Sequence, residues 1–157
     1  MRSWWSFYLP ASVAGLGLLY ALWKPLPLRL SRSARVAALL VGAPLYFTGL
    51  ALMLWGRYTL GQMYTVSSSL GAELYADHRL VTGGPFRHLR HPMYLGGIMA
   101  EIGGFLIYRT WTTVLMLPNA PALLLRAWRE EEALAAEFGQ EWAEYARRVP
   151  MLWPRFR

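Results

Sequence analysis

Apolar positions along the chain fall into four long runs separated by polar breaks. Residues 4–23, from Trp4 to Trp23, carry no charge and are framed by aromatic side chains. That is the roughly 20-residue length needed to cross a hydrocarbon core. The run is long for the apolar part of a cleaved leader, and a second run follows closely, so it reads as a span. Residues 34–55 form the second span, and Pro44 inside it predicts a kink because proline removes a backbone donor and crowds the preceding turn. The loop between them carries Lys24, Arg29, Arg32 and Arg35 with Pro25 and Pro27 as breakers, so the two spans are expected to form a hairpin. Residues 92–108 make a shorter third span that opens on Pro92, a residue favoured in first helical turns. Residues 110–128 make a fourth, interrupted by Pro118 and Pro121, with Arg109 at a tight turn between the two.

Two stretches depart from this pattern. Between Gly56 and His91 the chain turns polar, and Gly61, Ser67 to Ser69, Gly71 and Gly83-Gly84-Pro85 break any helix. Irregular backbone is not tolerated against lipid, so this segment is expected at the interface. Residues 129–149 are charged, yet Leu134, Phe138, Trp142, Tyr145 and Val149 recur at steps of three and four. That spacing predicts an amphipathic tail helix, with Gly139 as a point of division and Pro150 as its end. The fold class expected is therefore all-α: one domain over residues 1–157, a polytopic transmembrane bundle of about four spans with an interfacial loop and a C-terminal amphipathic helix.

Composition supports a lipid environment: 55% of residues are hydrophobic and 16% charged, against about 25% charged in ordinary soluble domains. Trp4, Trp5, Trp23, Trp55, Trp111 and Trp128 fall at the predicted span ends, where indole rings favour the headgroup region. The net charge of +7 does not point to nucleic acid, because the basic residues are interleaved with apolar runs and form no stripe. With four spans, the side holding the amino terminus, the Gly56 to His91 loop and the tail carries 11 of the 16 Lys and Arg residues. That side is expected to be cytoplasmic, although the four basic residues of the first loop pull the other way. The absence of cysteine excludes disulfides, thiolate catalysis and cysteine-based metal sites, and no metal site is expected.

The densest chemistry is Arg87, His88, Arg90, His91, Pro92, Tyr94, Gly96 and Gly97 at the start of the third span. The first turn of a helix offers free amides and a positive dipole end to carboxylates and phosphates, and the glycines allow close approach of a cofactor or a neighbouring helix. An interfacial anchor for lipid headgroups uses the same residues. Glu101 shares a helical face with Tyr94, Gly97, Gly104 and Tyr108, and a carboxylate inside a span requires a partner or a polar cavity. Glu130, Glu131 and Glu132 follow Arg126 and Arg129 where the fourth span leaves the membrane, on the same side as the arginine-histidine group. The two clusters are expected to converge, with Arg147 and Arg148 able to fold back towards them.

The stretch from His78 through Gly83-Gly84-Pro85-Phe86, then Arg90-His91-Pro92-Met93-Tyr94-Leu95-Gly96, resembles the isoprenylcysteine carboxyl methyltransferase and phospholipid methyltransferase group of membrane enzymes. Glu130-Glu131, Leu134, Phe138-Gly139, Tyr145 and Arg148-Val149-Pro150 match the paired-glutamate and arginine-valine-proline pattern of the same group. The resemblance covers about the second half of the chain. It implies S-adenosylmethionine as methyl donor and a lipophilic, membrane-resident acceptor, a carboxylate or a lipid head group. Carried over, His91, Tyr94, Leu95, Gly96, Glu130 and Glu131 bind the cofactor. Arg90 and Arg148 line the acceptor site, and Arg90, Arg148 and Glu131 form the catalytic set. Membrane sterol reductases, which use NADPH, share the Tyr94-Leu95-Gly96 segment, but an acidic residue commonly follows that glycine where Gly97 stands here. A non-catalytic membrane scaffold protein is the third reading, with the charged clusters fixing topology alone.

Overall fold

A computed structural model describes residues 5–61 and 79–153, with side chains from Ser12 onward. Trp4, the side chain of Trp5, His78 and the serine-rich part of the second loop lie outside the described residues. The described fold is all-helical: α1 (Trp5–Ala21), α2 (Arg32–Leu60), α3 (Pro92–Tyr108), α4 (Trp111–Met116) and α5 (Asn119–Arg148), with a 3-10 turn at Gly84–Arg87 before α3.

α2 begins where Ser31 caps it, the hydroxyl accepting from Ala34 N at 3.2 Å. At 29 residues it is about 43 Å long and continues through Pro44. It is the one described helix both long and apolar enough to cross a membrane, and only 11% of its most apolar window is buried. A soluble core helix of that hydropathy would be covered by protein; here Leu40, Phe47 and Leu54 are exposed, as are Val13 and Leu16 on α1. That surface belongs in lipid.

α2 and α3 pack through glycine. Gly42, Gly49 and Gly56 recur every seven residues on α2 and face Leu106, Gly96 and Met93 of α3, which runs the opposite way. A Cβ added to Gly49 would lie 2.5 Å from the Gly96 carbonyl oxygen, and one on Gly103 would lie 2.5 Å from Tyr46 N. The two backbones are therefore in contact, the arrangement that small residues allow where no hydrophobic effect drives helices together.

α3 opens on Pro92 and closes on Arg109, which adopts a left-handed conformation (φ 49°) and turns the chain into α4. This turn is tied to the first loop and the last turn of α1: Leu26 N donates to Arg109 O at 2.8 Å, Trp111 N to Lys24 O at 3.1 Å, and Thr112 Oγ1 to Leu19 O at 2.6 Å. Thr110 and Thr113 cap α4 reciprocally.

The division expected at residues 128 and 129 is corrected. The chain breaks at Leu117-Pro118, after the six residues of α4. One helix, α5, then carries the fourth apolar run into the charged tail without interruption, and its internal break is Gly139 (φ 49°). Hydropathy changes at residue 129, but Arg126, Arg129 and Glu130 to Glu132 are all good helix formers and nothing there stops the backbone. Along the second half of α5, Trp142 and Tyr145 are buried, while Leu134, Phe138 and Val149 are half-buried.

Candidate functional site

The first turn of α3 and the middle of α5 meet over a network of ionisable side chains. Glu131 bridges two residues: Oε1 lies 2.8 Å from His91 Nε2, and Oε2 lies 2.8 Å from an Arg90 terminal nitrogen. Glu130 takes the other side, with Oε1 accepting from the Tyr94 hydroxyl and from Arg126 Nε at 3.2 Å, and Oε2 3.8 Å from His91 Nδ1. His91 is 5% exposed, so its ring is enclosed between the two glutamates. The His91 and Tyr94 rings stack with centroids 5.5 Å apart at 20°. The Arg90 guanidinium carbon sits 5.5 Å from the centre of the Trp142 ring. Arg90 Nε is buried and has no acceptor among the described residues.

The backbone beyond α5 holds this arrangement in place. Arg90 N donates to Pro150 O at 2.9 Å and His91 N to Met151 O at 3.0 Å, so the chain after Val149 pairs with the segment that precedes α3. Leu152 then packs with Leu89 and Leu95 in a buried cluster. The Tyr145 hydroxyl donates to Phe86 O at 2.7 Å and fixes the 3-10 turn. Burial, reinforced by Glu131 and opposed by Arg90, pushes the Tyr145 hydroxyl from its ordinary 10.0 up to about 12, so it remains a donor at physiological pH.

A cavity of about 690 Å³ begins at this network and follows α3. Arg90, His91, Tyr94, Glu130, Trp142 and Tyr145 line one end; Trp23 and Tyr108 line the other. Along the wall lie Gly97, Glu101 and Gly104, which with Tyr94 and Tyr108 form the helical face read from the sequence. Tyr94 and Tyr108 are fourteen residues apart, about 21 Å along a helix. This is a volume suited to a small ligand, polar at one end and mainly apolar over the rest.

The structure thus gathers Arg90, His91, Tyr94, Glu130 and Glu131 at one point. It places the remaining expected residues elsewhere. Leu95 faces the buried cluster of Leu89 and Leu152, and Gly96 faces Gly49 and Met53, so neither lines the cavity. Gly97 does, with its Cα side 3.2 Å from Leu123 Cδ1 once a Cβ is built. Arg148 is exposed, does not line the cavity, and its Nε donates to Glu144 O at 3.2 Å. Arg87 and His88 are exposed. Arg126 and Trp142 belong to the site although the sequence reading assigned them only to local ion pairs and to the tail stripe. Their signals are the four-residue step from Arg126 to Glu130 and the aromatic at the buried centre of that stripe. Asn119, whose amide donates to Glu101 Oε1, carried no sequence signal beyond following Pro118.

In this all-helical structure a long, largely apolar cavity ends on a cluster of glutamate, histidine, arginine and tyrosine. The chain belongs to the phospholipid methyltransferase family, whose family model matches residues 37–141 and so includes Arg90, His91, Tyr94, Glu130 and Glu131. It is 27% identical over 98% of its length to methanethiol S-methyltransferase 2 of Bradyrhizobium diazoefficiens, covering 64% of that protein. It is 33% identical over 59% of its length to protein-S-isoprenylcysteine O-methyltransferase B of Arabidopsis thaliana, covering 47% of that protein. It is also 33% identical over 62% of its length to the cobalt-zinc-cadmium resistance protein CzcN of Cupriavidus metallidurans, covering 49% of that protein. The chain therefore spans between about half and two thirds of the length of these relatives.

Proposed function

We propose that the protein transfers a methyl group from S-adenosylmethionine to a lipophilic acceptor that reaches the cavity from the bilayer. The observation that carries this reading is that Arg90 and His91, both held by Glu131 from behind the lining, meet Glu130 at the polar end of a cavity that is otherwise largely apolar. The residues fit the cofactor. The buried, unpartnered Arg90 Nε is a donor for a carboxylate, and Glu130 Oε2, with its long 3.8 Å contact to His91, retains capacity for an ammonium group. Tyr94 and Trp142 offer aromatic faces to a sulfonium. When bound, S-adenosylmethionine supplies an electrophilic methyl group.

The contribution of the protein's own residues is position and exclusion of water. Displacement at a methyl carbon needs the attacking and leaving atoms in line, and the stacked His91 and Tyr94 rings form a fixed surface for that alignment. His91 is held in orientation by both glutamates, and the tail beyond Val149 closes the network from outside. The names of the relatives, one a thiol and one a carboxyl methyltransferase, support a small nucleophile on an apolar molecule.

The same reading assigns α1, α2, α3 and the α4 to Ala127 segment to the bilayer as a multi-pass bundle. The amphipathic second half of α5 then rests at the interface, with the charged network on the cytoplasmic side. Exposed Trp23, Trp55, Trp111 and Trp128 at the ends of these elements support that placement. Incubating the purified protein in vesicles with methyl-labelled S-adenosylmethionine and lipid extract tests the proposal. Label entering an organic-soluble product is expected; its absence from every extract, with NADPH consumed in a parallel incubation that supplies it, would favour a reductase.

A further inference from the structure

Among the carboxylates that line the cavity, Glu101 stands apart from the network at the polar end. Glu101 lies seven residues beyond Tyr94 on α3, about 10 Å along the helix from the methyl-transfer cluster. Its carboxylate lines the cavity, yet Oε1 has one partner, the Asn119 amide, and Oε2 is buried with none among the described residues. A buried carboxylate oxygen without a donor is costly, and within a lipid-embedded bundle no bulk water relieves it. The α2 contact of α3 runs through Gly96 and Gly103 on another face, and the interhelical bond to Asn119 at the start of α5 accounts for Oε1 alone. Asn119 lies on the same wall, and once its amide nitrogen donates to Glu101 its side-chain oxygen remains as a second acceptor.

We infer that Glu101 and Asn119 form a polar subsite for a nitrogen-borne hydrogen-bond donor, a primary or secondary amine, on the molecule that occupies the apolar part of the cavity. Two acceptor groups on one wall, one of them a carboxylate, match an ammonium with several N–H donors and repel a carboxylate or phosphate. The terminal torsion of a glutamate is broad and two-fold, so a half-turn about it exchanges the oxygens and presents Oε2 to the cavity. The subsite selects among lipophilic ligands: a chain lacking a donor leaves the carboxylate unpaired, whereas an amine satisfies it. This inference rests on the cavity being the acceptor site of the proposed methyltransferase, but its test does not require turnover.

The test is equilibrium binding of radiolabelled dodecylamine to the protein in phosphatidylcholine nanodiscs, with dodecanoate and dodecane as unlabelled competitors. The wild-type protein is expected to bind dodecylamine, with dodecane and dodecanoate at least about tenfold weaker as competitors. Glu101→Leu is expected to erase that preference while S-adenosylhomocysteine binding, measured in parallel, stays unchanged. Asn119→Ala, on the surface of α5, provides a second variant that does not place a new side chain against the helix core, and is expected to weaken dodecylamine alone. An undiminished preference in both variants, or dodecane competing as well as the amine in the wild type, would overturn the subsite. Loss of S-adenosylhomocysteine binding by the wild type would instead count against the methyltransferase reading and leave the amine comparison intact.

Discussion

Glu131 and His91 are forty residues apart in sequence, and their side chains meet at 2.8 Å between Oε1 and Nε2. The contact joins α3 to α5 and, through the other oxygen of Glu131, fixes Arg90 as well. Glu131→Ala removes the partner of the buried His91 ring and of the half-buried Arg90 guanidinium. We predict a loss of stability on the order of 1–3 kcal/mol by thermal unfolding in detergent. Glu131→Gln, which keeps one acceptor, is expected to fall between the two. Equal stability of Glu131→Ala and wild type would show that the network carries no structural load.

Gly103 tests the α2 and α3 contact. Because an added Cβ would meet the Tyr46 backbone nitrogen at 2.5 Å, Gly103→Ala is predicted to cost about 1–3 kcal/mol. Gly97→Ala meets only the end of Leu123 at 3.2 Å, so it is expected to fold normally while narrowing the cavity. The comparison of melting temperatures, with ligand binding measured on both, separates packing from site. Similar melting temperatures for the two variants would contradict the packing account.

Tyr145 gives a pH signature. Its hydroxyl titrates near 12 when folded and near 10.0 when free, so the folded state holds the proton more tightly. The corresponding stability is fully present below about pH 10 and is lost as pH rises towards 12. Tyr145→Phe is predicted to lose the bond to Phe86 O, about 1 kcal/mol, and to lack this part of the alkaline decline. Alkaline unfolding curves for the two proteins check the prediction; curves of the same shape would remove Tyr145 from the account.

Arg148 separates the resemblance from the geometry. It is exposed and bonded to Glu144 O, whereas the two residues after Val149 supply the carbonyls that hold Arg90 and His91. Arg148→Ala is expected to leave cofactor affinity within about twofold, as for most surface substitutions away from special contacts. Leu152→Ala, which empties part of the cluster around Leu89 and Leu95, is expected to cost about 2–4 kcal/mol. An Arg148→Ala protein that loses cofactor affinity, beside a Leu152→Ala protein that melts like wild type, would show that the tail acts through its arginine and not through its backbone.

The sequence pattern made α3 legible to the residue, because Pro92 can start a helix and Arg109 follows the last apolar position. It misplaced the boundary of α5, because a change from apolar to charged side chains alters what a helix faces without ending it. The face holding Tyr94, Glu101 and Tyr108 was readable from seven-residue spacing, and the cavity follows it. The separate roles of Gly96 and Gly97 were not, since they depend on which neighbour each one meets, Met53 and Gly49 of α2 or Leu123 of α5. The convergence of Arg90 and His91 with Glu130 and Glu131 was legible as two clusters on one side. The bridge that Glu131 makes between Arg90 and His91 required the structure.

The central claim is that this network binds S-adenosylmethionine, and calorimetry on the purified protein tests it most directly. S-Adenosylmethionine and S-adenosylhomocysteine are predicted to bind one per chain, with NADPH giving no heat, and Glu131→Ala is predicted to weaken both by at least about tenfold. Binding of NADPH with no response to either sulfur nucleoside, or undiminished affinity in a folded Glu131→Ala, would contradict the account.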